Sequence, residues 1–419
     1  MTAELPPGQP VQPLTGIRVL ELATFLAGPF CCTQLGEFGA EIIKVELPVV
    51  GDPGRKYGTA HACGDSLVFL SEARNKKSVT IDLRTPEGAA ILKQLIPQVD
   101  VVVENFQVGT LEKWGLGWET LKAINPRLVM TRITGFGQTG PLKDRPGFGR
   151  IGNGFGGLSF LVGYPDRPPS SPGTATTADY LSGLYGAFGT VMALRARDLT
   201  GEGQVIDIGL YETVFRILDE IAPAFQMTGH VRQRVGPGSV NSCPHSHYQT
   251  KDGRWVGIAC SSDKIFERLA GVTGQSELAG EGRWGTYKAR NADRAEVDAW
   301  VSRWTGSLDR DTLVRLCEEA QVPCGPVYAI DEIFEDPQYR ARENILFFND
   351  ARAGEVAIPN VVPRMTGTPG SVKWLGPALG AHNEEILGGL LGLTADELGH
   401  LAGKGVVSLP EPASAAQAG

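Results

Sequence analysis

Hydrophobic residues in the first half of the chain fall into two alternating patterns. Short, nearly unbroken apolar runs recur at IRVLEL (17–22), EIIKVE (41–46), SVTIDL (78–83), DVVVENF (100–106) and RLVMTRITG (127–135). Each is rich in β-branched residues and bounded by polar or turn residues, so each predicts a buried strand. Between them lie stretches with helical spacing. AGPFCCTQLGEFGA stops at Gly39, and TPEGAAILKQLIPQ carries Pro86 in its first turn, where a missing N–H costs nothing. Strands alternating with helices predict an α/β fold, with a parallel sheet covered by helices.

The pattern continues with DYLSGLYGAFGTVMALRARDLTG (179–201), which predicts one long helix. Gly183, Gly186 and Gly189 recur on it at every third residue, a spacing that lets another backbone pack closely. GQVIDIGL predicts a further strand, and YETVFRILDEIAPAFQM (211–227) one amphipathic helix. Composition then shifts to Arg, Gly, Pro and Ser over 228–245. HYQTKDGRWVGIAC predicts a hairpin turning at Asp252-Gly253, and helices follow to about residue 330. This reads as a second, smaller α+β domain, with 1–225 before it, 226–335 forming it with its linkers, and 336–419 after it. VAIPNVVPRM, a loop with WLGPALG and a helix at EEILGGLLG close the chain.

Composition narrows the function. A chain of 419 residues corresponds to about two or three domains, and 42% hydrophobic residues can fill a large core. A net charge of −8 without a polybasic tract argues against nucleic acid as a partner. MTAELPPGQPVQ has neither a basic start nor an apolar run, so it is expected to fray and not to act as a signal peptide. No apolar run approaches a bilayer span, and the expectation is a cytoplasmic protein without a membrane partner. The seven cysteines are scattered with no Cys-x-x-Cys, which predicts reduced structural thiols. His245 and His247 would share one strand face, but no third ligand is near and no metal is expected.

Ligands of open parallel sheets bind beyond the C-terminal strand ends. That rule selects Glu104-Asn105-Phe106, the loop after Ile133, and Arg84. RNKKS (74–78) with Arg84 forms a basic cluster that would suit a phosphate-bearing ligand, although a solvated surface run explains it alone. GFGRIG (147–152) matches G-x-G-x-x-G, yet PLKDRP before it is no strand and the glycines after it predict no helix. It reads as a flexible wall beside a ligand. In PGTATTADYLSG (172–183), Asp179 follows small residues and opens the long helix. N-capping would explain it. So would a carboxylate nucleophile, kept anionic by the helix dipole, with Gly173 to Ala178 leaving room for an acyl group. No Gly-x-Ser-x-Gly is present to suggest a serine hydrolase.

Six stretches in this order resemble one family: PLTGIRVLELATFLAGPFC, FGAEIIKVE, NKKSVTIDLRTPEG, VVENFQVGTLEKWGL, NPRLVMTRITGFGQTGP and GTATTADYLSG. They are similar to the class III CoA-transferases, the formyl-CoA and carnitine CoA-transferase family, over about residues 13–200, with weaker likeness to about 405. The resemblance implies a Rossmann-like large domain built from both chain ends, a small domain between, and an interlocked homodimer. It implies Asp179 as nucleophile through anhydride and aspartyl-CoA intermediates, with a CoA thioester as substrate and no permanent cofactor. By position it puts Leu26, Ala27, Ile81 to Arg84, Asn105, Phe106 and Lys113 along CoA, with Gly147 and Phe148 beside the thioester.

Two departures refine this. VGPGSV (235–240) keeps Gly236 and Gly238 but lacks the glutamine that closes the glycine loop of formyl-CoA transferase. Related acyl-CoA racemases carry a histidine where this chain has Phe148 and Gly149, and moving an α-proton requires an acid and a base. YETVFRILDEIAP, PHSHYQTKDG and IPNVVPRM look most like the branch that moves CoA from succinyl-CoA to malate, citramalate or a similar diacid. A second carboxylate calls for a cation, and Arg74, Arg234, His245 and His247 are candidates, each also explicable as ordinary polarity. The alternatives are an α-methylacyl-CoA racemase and a CoA-binding protein without catalysis.

Overall fold

The computed structural model describes residues 11–173 and 176–409. Six strands pair into one sheet in the order β3-β2-β1-β4-β5-β6: β1 (Arg18–Glu21), β2 (Glu41–Glu46), β3 (Lys76–Thr80), β4 (Val101–Glu104), β5 (Val129–Thr134) and β6 (Val205–Gly209). Every pair is parallel, with Val19 opposite both Ile42 and Val101. This is the Rossmann order, whose switch point falls between β1 and β4.

Alternate strand residues feed two cores, as the period of a strand requires. Leu20, Ile43, Val79, Val102 and Met130 pack on one face with Ile91, Leu92, Ile386 and Leu387. Val19, Ile42, Val101 and Val129 pack on the other with Cys31, Leu35, Ala187 and Leu194. Four helices matter below: α1 (Ala27–Glu37), α2 (Pro86–Leu95), α3 (Gly149–Phe155) and α4 (Thr177–Thr200). The α4 glycines admit α1 closely. A Cβ on Gly183 would lie 2.6 Å from the Ala27 carbonyl oxygen, and one on Gly186 would lie 3.2 Å from Cys31 Sγ.

Buried charges inside the sheet are paired. Lys44 Nζ lies 2.7 Å from Glu21 and 2.6 Å from Asp52, and Lys76 lies 2.9 Å from Glu21. Arg55 meets Glu46 at 2.7 Å and Asp65 at 3.0 Å. The seven cysteines are unbridged, and Cys31, Cys32, Cys243, Cys260 and Cys317 are buried.

The described residues divide into two compact units. One comprises the chain up to Ser159, Ser171–Ala222, and the chain from Glu343 on; the other comprises Phe160–Ser170 and Pro223–Arg342. The second holds an antiparallel sheet of β7 (His245–Gln249), β8 (Trp255–Ala259) and β9 (Cys324–Pro326) against helices, with Gly253 at φ +77 in the hairpin turn.

Several expectations are corrected. The stretch 211–227 is two helices, Leu210–Arg216 and Ile221–Thr228, interrupted where Asp219 takes φ 45. GFGRIG does open a helix, α3, although no strand leads into it directly. VAIP belongs to β11 (Gly354–Pro359), which pairs with β10 (Ile345–Asp350). EEILGGL winds as a π-helix. Residues 1–10 of the expected frayed start, the alanine-rich tail, and Thr174-Ala175 of the small-residue run lie outside the described residues, while Gln12, expected to fray, donates to the Pro369 carbonyl and to Ser371 Oγ. Among the described residues no helix is long and apolar enough to cross a membrane.

Candidate active site

The loops after β1 and β4 meet at the switch point and are tied together by one side chain. Asn105 Oδ1 accepts from the Thr24 N–H, and Asn105 Nδ2 donates to the Thr24 carbonyl, both at 2.8 Å. Next to Thr24, Phe25 sits in the left-handed region at φ 62, its N–H held by Asp52 Oδ1 at 3.0 Å. The other Asp52 oxygen pairs with Lys44. A chain of buried groups thus fixes the entry to α1.

These loops wall a cavity of about 290 Å³, bordered by Phe25, Leu26, Ala27, Asn105, Phe106, Lys143, Arg145, Gly147, Phe148 and Asp179. A neighbouring cavity of about 250 Å³ shares Thr24 and Phe106 with it. It lies beyond the ends of β2 and β3 and is lined by Ile81, Asp82, Leu83 and Arg84. Arg84 is bound bidentately by Asp82 at 2.8 and 2.7 Å, yet its side chain is 59% exposed. A third cavity, about 430 Å³, shares Phe25, Leu26 and Phe148 with the first, and its lining includes Tyr57, Gly149, Arg150, Asn153, Thr176 and Asp179.

Asp179 borders both the first and the third cavity. It is not the helix cap. Thr176 holds that position without a side-chain cap bond, and Asp179 stands in the first turn of α4. Its carboxylate presses on a residue without a side chain: a Cβ on Gly149 would fall 2.0 Å from Asp179 Oδ2. The expected lowering by the helix dipole is overturned by burial, which raises the Asp179 carboxyl to about 6, opposed in part by its own backbone N–H. Its neighbour Tyr180 stacks edge-on against Phe30 at 4.7 Å, and burial together with Glu72 pushes its hydroxyl up.

Sequence candidates are distributed unevenly. Leu26, Ala27, Asn105, Phe106, Gly147, Phe148 and Asp179 come together around the first cavity, and Ile81 and Arg84 around the second. Lys113 is exposed at the end of a short helix and lines neither. The RNKKS cluster is consumed internally. Arg74 pairs with Glu37 at 2.7 Å, Lys76 with Glu21, and Lys77 with Glu41 and Glu385. Arg234 donates to the Tyr164 and Phe160 carbonyls within the second unit. Gly236 (φ +67) faces Tyr164, and a Cβ on Gly238 would lie 3.9 Å from the His245 carbonyl oxygen. His245 and His247 border a separate cleft of about 600 Å³ with Cys324, and His245 Nδ1 is buried without a partner among the described residues. Among the described residues no three His, Cys, Asp or Glu side chains group as a metal site.

Lys143, Arg145, Arg150 and Asn153 escaped the sequence reading. Lys143 and Arg145 lie in PLKDRP, Arg150 inside GFGRIG and Asn153 just after it, a stretch that read only as a glycine wall.

A family model described as CoA-transferase family III matches residues 14–383. The chain is 49% identical to the succinyl-CoA–L-malate CoA-transferase beta subunit of Chloroflexus aurantiacus, over 94% of this chain and 98% of that one. It is also 49% identical to the succinyl-CoA–D-citramalate CoA-transferase of that organism, over 95% of this chain and 99% of the other. A crystal structure of a CAIB/BAIF family protein from Brucella suis superposes with a TM-score of 0.81 at 36% identity, covering 91% of this chain and 100% of that chain.

Proposed function

Because the chain belongs to CoA-transferase family III, we propose that it moves coenzyme A from succinyl-CoA to a C4 or C5 dicarboxylate of the malate or citramalate type. One observation carries the reading: Asp179 borders two cavities at once, and its carboxylate rests where a Cβ on Gly149 would fall 2.0 Å from Oδ2. One cavity continues to the strand ends where a nucleotide would lie, and the other is free to take an acid.

In this reading CoA runs past Ile81 to Arg84, then Asn105 and Phe106, to a thioester beside Leu26, Ala27, Gly147 and Phe148. The Asp179 carboxylate attacks the thioester carbon and expels CoA thiolate, giving a mixed anhydride. The thiolate attacks the aspartyl carbonyl, which releases succinate and leaves an aspartyl-CoA thioester. The acceptor carboxylate attacks that thioester, the thiolate leaves again, and its attack on the acceptor acyl carbon forms the new acyl-CoA and restores Asp179. Each step exchanges one anionic leaving group for another, so no proton transfer is required. Burial raises the ground-state energy of the carboxylate anion that attacks.

The same reading takes the chain as cytoplasmic and as half of an interlocked homodimer. Leu184 (51%), Phe188 (62%) and Met192 (55%) form an exposed i, i+4, i+8 stripe on α4, an apolar face of the kind a second chain covers. Light scattering should return twice the chain mass; a monomer would remove the dimer from the reading.

The test of the chemistry is peptide mass spectrometry after incubation with succinyl-CoA and hydroxylamine. A hydroxamate at Asp179 that needs the thioester is expected. Turnover without any Asp179 adduct would overturn the mechanism.

A further inference from the structure

The third cavity carries more information than its volume. Among its described lining residues Arg150 is the one Lys or Arg, and it stands one residue from Gly149, against which Asp179 rests. It donates one long bond to a neutral group, 3.3 Å to Ser171 Oγ, and among the described residues it makes no ion pair. Arg150 is exposed, and it differs from the buried Arg55, Arg74, Arg132 and Arg197, each of which is held by a carboxylate.

Asn153, only 3% exposed, and Thr176 line the same space, and the buried Asn153 Oδ1 and Thr176 Oγ1 have no hydrogen-bond partner among the described residues. Both oxygens are closed off from solvent, so the wall of this cavity includes buried polar atoms without partners among the described residues. Arg150 and Asn153 are three residues apart on α3, and Gly149 and Asn153 four, so one helix face presents all three positions.

We propose that this cavity receives the acid moiety and that Arg150 pairs with the distal carboxylate of the diacid, in donor and acceptor alike. The proposal rests on the transfer reading above and names its specificity determinant. A planar guanidinium binds a carboxylate bidentately, and it discriminates strongly against acids that lack one. A monocarboxylate would leave Arg150 unpaired. Arg74, Arg234, His245 and His247 line none of the cavity and are not assigned this role.

The experiment measures kcat/KM for malate and citramalate against butyrate and 3-hydroxybutyrate, in the parent, Arg150→Gln and Arg150→Lys. Arg150→Gln should lower the diacid values about 100-fold or more and collapse the preference for diacid over monoacid; Arg150→Lys should keep part of it. CoA affinity, read by calorimetry with CoA alone, should be unchanged, which separates a lost carboxylate contact from a disordered site. If the parent uses none of the diacids, the substrate reading and this inference fall together. If the parent uses them and Arg150→Gln retains the preference, the inference alone falls.

Discussion

The Asp179 carboxyl titrates near pH 6 because burial disfavours its charge. An unfolded chain would titrate it near ~3.9. The folded form therefore binds its proton more tightly than the unfolded form. Ionised Asp179 imposes no penalty below the unfolded value; the penalty grows as pH rises and is complete above about 6. Asp179→Asn removes it. At pH 8 this variant should be more stable than the parent by about 1–3 kcal/mol, with the difference vanishing near pH 4. It should also lose transfer by several orders of magnitude, while the parent's kcat/KM falls as pH drops below about 6. Urea melts at both pH values check the first part; a variant no more stable at pH 8 than at pH 4, relative to parent, would contradict it. Asp179 was legible because a run of small residues precedes a lone acid at a helix start. Its protonation was not, since the dipole argument is local and the opposing burial comes from Gly149 and the cavity walls. Arg150 was illegible for the same reason: its significance depends on sharing a cavity with Asp179 while making no ion pair among the described residues, which only three dimensions reveal.

Unbroken apolar runs gave strands that could be read directly, because a parallel strand covered on both faces has no solvent side to break the pattern. EIIKVE is β2 to the residue. Elements shaped by packing were less legible. The helix GRIGNGF contains three glycines and has poor intrinsic propensity; it forms where Gly149 closes against Asp179 and Gly152 against Leu210. The break between Arg216 and Ile221 interrupts a stretch that is apolar on both sides, so periodicity passed over it. The α1–α4 crossing was anticipated from the glycine spacing, and it allows a graded test. A methyl at Gly183 meets the Ala27 carbonyl oxygen at 2.6 Å, which is backbone and cannot give; one at Gly189 meets Ile206 Cγ2 at 3.1 Å, a side-chain tip that can. Gly183→Ala should cost about 1–3 kcal/mol and raise KM for the CoA thioester, since Ala27 walls the first cavity. Gly189→Ala should stay within about 1 kcal/mol and leave KM alone. Equal effects in denaturant melts would refute close packing as the reason for the spacing.

At the scale of the molecule, the sheet begun by the first strands is finished by the last quarter of the chain. β3 is an edge strand, and its free side is occupied by residues some 300 positions later. The His382 N–H donates to the Ser78 carbonyl at 2.9 Å, and the Ser78 N–H donates to His382 Nδ1 at 3.1 Å. Asn383 accepts from the Thr80 N–H and donates to Thr80 Oγ1, both at 2.8 Å, and also donates to the Ser408 carbonyl. An uncovered edge is a template for misassociation, so this return segment completes the large unit and shields it. It also stabilises the strand that leads into Ile81 to Arg84 and the nucleotide end of the proposed CoA track. Asn383→Ala leaves the buried Thr80 N–H without an acceptor, which should cost about 1–3 kcal/mol. The loss should be local before it is global. Hydrogen exchange should quicken at Ser78 and Thr80 while β4 and β5, interior to the sheet, stay protected. KM for the CoA thioester should rise with little change in kcat, because Thr80 lines neither cavity that Asp179 borders but adjoins Ile81, which lines the second. Unaltered exchange at β3 in this variant would mean that the return segment merely lies beside the sheet and that the edge holds itself.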